Sequence, residues 1–193
     1  MTEDAKFWLL LVASFFGGGI VGWGLTKIEE WWRKPRVVIE YGSGYPFIDT
    51  AKFADGGESD FVRVRVRNSG RKTAERCKCY VRNIKLKKGG KIQELPTANL
   101  MLASWVPREE GVTTKNIPPK SEFFADVAYA YEDKGKYTVA PVFNIQNFNV
   151  SDFTNHVGDF ELEFVVLAEN LPPASRVIQF SFDGKSTNLL ASA

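Results

Sequence analysis

Histidine is almost missing from this chain: His156 is the only one, so no histidine-based metal cluster can form and any catalytic triad must use that residue. Cysteine is scarce too, with Cys77 and Cys79 alone. Two residues apart on a strand, they point to the same face with side chains roughly 6 to 7 Å apart, whereas a disulfide holds Cβ atoms at about 3.8 Å. They cannot bridge each other, and a domain without an internal disulfide suits a reducing compartment. Zinc needs about four ligands, and two cysteines plus His156 fall one short. The Gly-x-Ser-x-Gly elbow and the phosphate-cradling P-loop pattern are absent, as are usable repeats and low-complexity tracts. The expectation is a protein without enzymatic activity, cofactor or metal.

What is present first is a long apolar run. Phe7 to Leu25 holds nineteen residues without a charge. At about 1.5 Å per residue a helix of that length reaches roughly 28 Å, close to the ~30 Å hydrocarbon core of a bilayer. The glycines from Gly17 to Gly24 fall inside this run, which removes them as a nucleotide-binding loop. The competing reading is a cleaved signal peptide, with Lys6 as its basic flank. Against it stand the acidic leader, with Glu3 and Asp4, and the want of a small-x-small cleavage site after the run. The expected organisation is a tail, transmembrane helix and juxtamembrane extension over residues 1–34, a β-domain over 35–184 and a flexible tail over 185–193.

Lys27, Arg33, Lys34 and Arg36 follow the run, whereas only Lys6 and the terminal amine precede it. The positive-inside tendency places the large domain in the cytoplasm. Trp31 and Trp32, with Arg33, Lys34 and Arg36, fit an interfacial belt that anchors the helix end. Ser14, Gly18 and Gly22 recur every four residues and share one helix face, where small side chains allow a second helix, from a partner or from another copy, to approach closely.

About 157 residues follow Arg36, enough for one domain with its own core. The charge is near balance at +2, but residues 61–91 hold twelve Lys or Arg against Glu75 alone. Residues 92–193 hold seven basic against thirteen acidic residues. Aromatics make up 13% of the chain, and turn residues punctuate it often, as in β-rich proteins.

Pro35 ends the helical extension and Arg36 to Tyr41 reads as the first strand. Asp60 to Asn68 alternates Val62, Val64 and Val66 with Arg63, Arg65 and Arg67, the period of a half-buried strand. After the Asn68-Ser69-Gly70 turn, Ala74 to Leu86 places Cys77, Cys79 and Val81 on one face and Lys78, Tyr80 and Arg82 on the other. Trp105 is expected in the core, Arg108 to Lys120 in a loop. Later strands are expected over Ser121 to Tyr131, with Phe123, Ala125, Val127 and Tyr129 in phase, and over Tyr137 to Ile145, Asp159 to Ala168 and Arg176 to Phe182. Seven or so short strands with regular turns indicate an all-β antiparallel two-sheet sandwich.

The order Val66-x-Asn68-x-Gly70-x-x-x-Ala74-x-x-Cys77, with Ile117-Pro118-Pro119-Lys120 before an aromatic strand, resembles immunoglobulin-like modules of the cell-adhesion-related, CARDB-like type. Trp32-Arg33-Lys34-Pro35-Arg36 between an apolar run and a sandwich is similar to the arrangement in prokaryotic membrane proteins of uncharacterised role. The resemblance spans most of residues 36–182. It implies an immunoglobulin-like fold and a binding or assembly role, and it brings no catalytic residues.

Paired acids such as Glu161 with Glu163, or Glu109 with Glu110, read as solvated positions, and the Asn-rich stretch from Asn144 to Asn155 as a turn rather than a calcium loop. Asn149-Val150-Ser151 matches a glycosylation acceptor, irrelevant in a cytoplasmic domain. The basic ladder Arg63, Arg65 and Arg67 has the most functional content, with Lys78 and Arg82 beside it if their strands pair. Such a face reads either as solvated protection against edge aggregation or as a contact for acidic lipid headgroups. Nucleic acid is disfavoured because stacking aromatics are not interleaved with the charges as single-strand platforms require. The expected function is a single-pass membrane protein whose domain binds or scaffolds a protein at the cytoplasmic face of the bilayer. The alternative is an exported, membrane-anchored adhesion or envelope-assembly module.

Overall fold

The computed structural model describes residues 7, 8, 12, 14, 23, 24, 26–29, 34–52, 58–94, 101–107, 112–133, 136–141, 157–184 and 186–189. The chain divides into two units, residues 1–34 and 35–193. In the first, Phe7, Trp8, Val12, Ser14, Trp23, Gly24 and residues 26–29 are helical. Phe7, Trp8, Val12, Trp23 and Ile28 all lie exposed. Among the described residues no helix is long and apolar enough to cross a membrane. Most of the run from Phe7 to Leu25 lies outside the described residues.

The second unit is built from strands in two antiparallel sheets. The first sheet runs in the order β1 (Val37–Glu40), β3 (Glu58–Asn68), β9 (Glu122–Asp133), β10 (Lys136–Pro141). Here β2 (Ile48–Lys52) also pairs with β3, and β7 (Ser104–Val106) with β9. The second sheet runs β13 (Thr187–Leu189), β12 (Leu171–Phe182), β11 (Gly158–Ala168), β4 (Ala74–Lys88), β5 (Lys91–Glu94). In it β6 (Met101–Leu102) and β8 (Lys115–Ile117) also lie along β4.

Alternation decides which side chains enter the space between the sheets. Val62, Val64 and Val66 of β3 are fully buried, as are Cys77, Cys79 and Val81 of β4. The two inner faces differ in size. Valines and Ala125, Ala128 and Ala130 line the first sheet, whereas Phe160, Leu162, Phe164, Ile178, Phe180 and Phe182 line the second, all within one cluster. Small residues thus face large ones, which lets two sheets interdigitate at interior density. Phe160 and Phe180 are cross-strand partners whose rings stack 5.0 Å apart. Burying each such ring contributes on the order of 2 kcal/mol. Trp105, on β7, closes the core at 2% exposure.

Bulges break the alternation that the sequence suggests for the long strands. Arg76 and Asn83 adopt positive φ values of 48° and 53°, and the register of β4 shifts against β8 and β11 beside them. Hence Ala74 and Cys77, then Val81 and Ile84, are buried although three residues apart. A register shift against Val62 and Arg63 breaks β9 in the same way. Phe123 and Ala125 pair with Val66 and Val64, but beyond the shift it is Ala128 that pairs with Val62. Tyr129 pairs with Phe61 and leaves the core face, contrary to the in-phase expectation.

Three boundaries also differ from expectation. Lys115–Ile117, within the segment expected as loop, pairs with β4. Strand β12 begins at Leu171 rather than Arg176 and takes in the exposed Pro172 and Pro173. They lie where its register against β11 shifts, a place where a strand tolerates residues without an N–H. Within the tail expected to be flexible, Thr187–Leu189 pairs with Phe180–Phe182, and Thr187 is buried. Gly89 and Gly90 form the two-residue turn between β4 and β5 with φ of 55° and 76°, angles that favour glycine at both positions.

Candidate functional site

The ladder of β3 is present as expected, with Arg63, Arg65 and Arg67 on the outer face of the first sheet. Its neighbours change its meaning. Arg63 Nε donates to Asp126 Oδ1 at 2.8 Å, and its Nη1 is bonded to Asp49. Arg65 pairs with Glu40 and, at 3.6 Å, with Glu122, while Arg67 reaches the other oxygen of Glu40 at 2.8 Å. Thus β1, β2 and β9 each bring acids against the ladder. Burial alone would lower the Arg63 guanidinium, but hydrogen bonding to Asp126 and the charges of Asp126 and Asp49 raise it above its ordinary value.

Lys78 and Arg82 do not lie beside this ladder. Strands β3 and β4 follow one another in the chain but belong to different sheets, so the connection between them crosses the core. Arg82 forms a two-pronged pair with Glu163, Nε to Oε2 at 2.8 Å and Nη2 to Oε1 at 2.7 Å. Those bonds hold the Glu163 carboxyl below the usual carboxylate range. Glu161 is lowered by hydrogen bonds from Lys87 and Gln179 and by the charges of Lys87 and Lys85. Lys78, half-buried, pairs across the strands with Leu167.

Aromatic side chains do alternate with the arginines, across strands rather than along one. Phe61 and Tyr129 stack at 6.0 Å with Arg63 over the Phe61 ring. Phe47 meets Phe124 edge-on at 6.2 Å with Arg65 over Phe47. Single-strand platforms need such rings but also a surplus of positive charge, and here Glu40, Asp49, Glu122 and Asp126 offset it. A sheet-spanning pattern of this kind is invisible until the register of β3 and β9 is known.

Cys77 and Cys79 are both free and fully buried. Desolvation pushes the Cys77 thiol up to about 11 and raises Cys79 strongly, with the neighbouring Cys77 adding to the latter. Both are core side chains kept as neutral thiols. Among the described residues no group of three or more His, Cys, Asp or Glu is placed to hold a metal ion. The Asn-rich stretch, His156, Glu109 and Glu110 lie outside the described residues.

Of the membrane-associated positions, Ser14 is helical and exposed, and Lys34 and Arg36 are exposed ahead of β1. Gly18, Gly22, Trp31, Trp32 and Arg33 lie outside the described residues.

In the sequence Asn68 reads only as a turn residue. It is fully buried at the end of β3 and uses both ends of its amide. Oδ1 accepts from the N–H of Arg36 at 3.1 Å and of Gly70 at 2.9 Å. Nδ2 donates to the carbonyls of Lys72 at 2.7 Å and Ile117 at 2.9 Å. Three segments distant in sequence are pinned there. No protein-family model matches the chain, and no curated protein matches it.

Proposed function

We propose that the chain is a non-enzymatic, single-pass membrane protein whose sandwich is an immunoglobulin-like binding or scaffolding module at the cytoplasmic face of the bilayer. The observation that carries the reading is the exposure of Phe7, Trp8, Val12 and Trp23 on helical residues of the first unit. Large apolar side chains recurring along one short segment require a cover, and the uncharged run around them is of bilayer length. The basic flank Lys27, Arg33, Lys34 and Arg36 supports the inward orientation.

Strand order supports the immunoglobulin-like part. Strands β1, β3, β9 and β7 lie together in one sheet and β4, β11 and β12 in the other. The chain crosses between β3 and β4, between β6 and β7 and between β10 and β11, with β8 making a short excursion to β4 between β7 and β9, and β11 and β12 form a hairpin. These match the A-B-E-D and C-F-G layout of constant-type immunoglobulin domains, and the CARDB-like resemblance agrees with it. Such a module presents its outer face to a protein partner, here the half-buried Phe47, Phe61, Phe124 and Tyr129 between charge-balanced arginines. Ser14, Gly18 and Gly22 offer a second contact, helix to helix.

The test is alkaline carbonate extraction of membranes followed by labelling with an impermeant thiol reagent. Retention in the pellet is expected, and release into the supernatant would remove the anchor. Because the native pair is buried, the label must report on a cysteine placed at exposed Lys91, which should stay unlabelled in intact cells if the domain is cytoplasmic. Labelling before lysis would instead identify an exported adhesion or envelope module.

A further inference from the structure

We propose that the pole of the sandwich at which the chain enters, built around Asn68, is a contact surface for anionic phospholipid headgroups, carried by Arg36, Lys72 and Lys120. The inference deepens the membrane reading above and rests on it. It moves the lipid contact from the β3 ladder, where the sequence pattern suggests it, to the sandwich end.

The assembly of the pole is local hydrogen bonding. Besides the four bonds of the Asn68 amide, its N–H donates to the carbonyl of Ser121 at 3.0 Å and its carbonyl accepts from Lys120 at 2.8 Å. The Ser69 N–H donates to the carbonyl of Arg36 at 2.8 Å. The start of β1, the loop after β3 and the turn before β9 are therefore held side by side. Arg36, Lys72 and Lys120 project from these three segments and all three are exposed.

Charge separates this pole from the ladder. Among the described residues, Arg36, Lys72 and Lys120 form no ion pair. Of the acids on the adjoining segments, Glu122 is paired with Arg65 at 3.6 Å and Glu169 with Arg76 at 3.2 Å, and Glu75 is exposed. At the far end of β4, fifteen residues and about 45 Å away at ~3.3 Å per residue, Lys88 and Lys91 share the surface with Glu94, Asp159 and Asp183. Covalent order adds a third reason. Arg36 stands eleven positions after Leu25, the end of the apolar run. Anionic lipid attracts basic residues held within about a Debye length, ~8 Å, of the headgroups, each strengthening the contact severalfold.

The experiment uses the full chain reconstituted into vesicles of phosphatidylcholine alone or mixed with phosphatidylglycerol, with an energy-transfer acceptor on the headgroups. A donor is attached either at Pro119→Cys, beside the pole, or at Lys91→Cys at the far end. Cys77 and Cys79 stay unlabelled because both are fully buried. Transfer from the Pro119→Cys donor is expected to rise with phosphatidylglycerol and to fall with added salt, while the Lys91→Cys donor shows no rise. The triple variant Arg36→Glu, Lys72→Glu, Lys120→Glu should abolish the rise. The milder triple Gln variant should reduce the docked fraction by at least about tenfold relative to the undocked one. Flotation with vesicles but equal transfer in both lipid mixtures overturns the pole and leaves the membrane reading standing, as does a rise that survives the triple Glu variant. Failure to float with either vesicle overturns the membrane reading itself.

Discussion

On the outer face of the first sheet and at the pole around Asn68, the same kind of side chain meets opposite surroundings. Arg63, Arg65 and Arg67 stand in a row that would look like a positive stripe, yet each is met by an acid from a neighbouring strand. Arg36, Lys72 and Lys120 are scattered through the sequence and look unremarkable there, yet the fold gathers them and leaves them without an ion pair among the described residues. A charge pattern along one strand therefore says little about the field of a face, because the sheet supplies the other half of the pattern. The ladder is part of the scaffold, whereas the pole is a surface.

The largest effect that would sharpen this contrast is expected at Asn68, which the pole needs and the ladder does not. Asn68→Ala removes bonds to two N–H groups and two carbonyls at a fully buried position. The expected cost is about 3 kcal/mol, since buried groups left without partners lose ~1 kcal/mol or more apiece. Urea unfolding of the purified chain measures it. A loss below about 1 kcal/mol would show that the three segments hold together without the amide.

Next comes the ladder itself. Arg63→Ala removes the guanidinium bonded to Asp126, whose side chain is 9% exposed. Breaking a buried pair by removing one partner costs about 3 to 5 kcal/mol, and the partial exposure of Arg63 reduces this to about 2. Removing Asp126 as well should give back part of that loss, so the double variant Arg63→Ala/Asp126→Ala should cost less than the two single changes added together. Strict additivity would mean that the guanidinium and carboxylate are neighbours without being partners, and the ladder would become available for outside contacts after all.

Much of the fold could be read from the residues because burial follows alternation. Val62, Val64 and Val66, the Cys77 to Val81 face and the Phe160 to Val166 row are where period two places them, and the spacing of Cys77 and Cys79 excluded a bridge. Pairing partners could not be read. Strands β3 and β4 are consecutive and separated by a short turn, the usual mark of a hairpin, but both carry an apolar face and each covers the other across the core. Register defeats the reading a second time. One extra residue opposite Arg63 turns Tyr129 outward, and nothing in the run from Phe123 to Tyr129 announces it. Short strands such as β8 and β13 have too few residues to show a period, and Asn68 looks like any turn asparagine until its four partners are known.

A smaller effect is expected on the outer face of the second sheet. Hydrogen bonds from Arg82 and Asn83 lower Glu163, and those from Lys87 and Gln179 lower Glu161. A carboxyl lowered in the folded state stabilises the fold above its unfolded value, about 4.3 for glutamate. That contribution is lost as pH falls through this value and on through the lower folded one. Stability of the wild type should therefore fall further between pH 7 and pH 3 than that of Glu161→Gln/Glu163→Gln. As both pairs are at the surface, the gap should stay below about 1 kcal/mol. Urea midpoints across that pH series check it, and parallel curves would mean that the paired carboxylates add nothing to the fold.

The smallest effect tests the comparison most directly. Reversing Arg36, Lys72 and Lys120 to Glu breaks no ion pair among the described residues, and the backbone groups that Asn68 holds are untouched. Lys120 has a φ of 60°, but Glu carries the same Cβ penalty there, so the change adds no new strain. What remains is repulsion with Glu75, Glu122 and Glu169, screened over about 8 Å at physiological salt. The unfolding midpoint should correspond to a change within about 0.5 kcal/mol. The matched reversal of Arg63, Arg65 and Arg67 sets three new carboxylates against Glu40, Asp49, Glu122 and Asp126 and should cost several times more. Equal losses from the two triple variants would make the pole's cations structural like those of the ladder. Indifference at the pole, joined to collapse at the ladder, is the outcome required of a surface whose charges are directed outside the molecule.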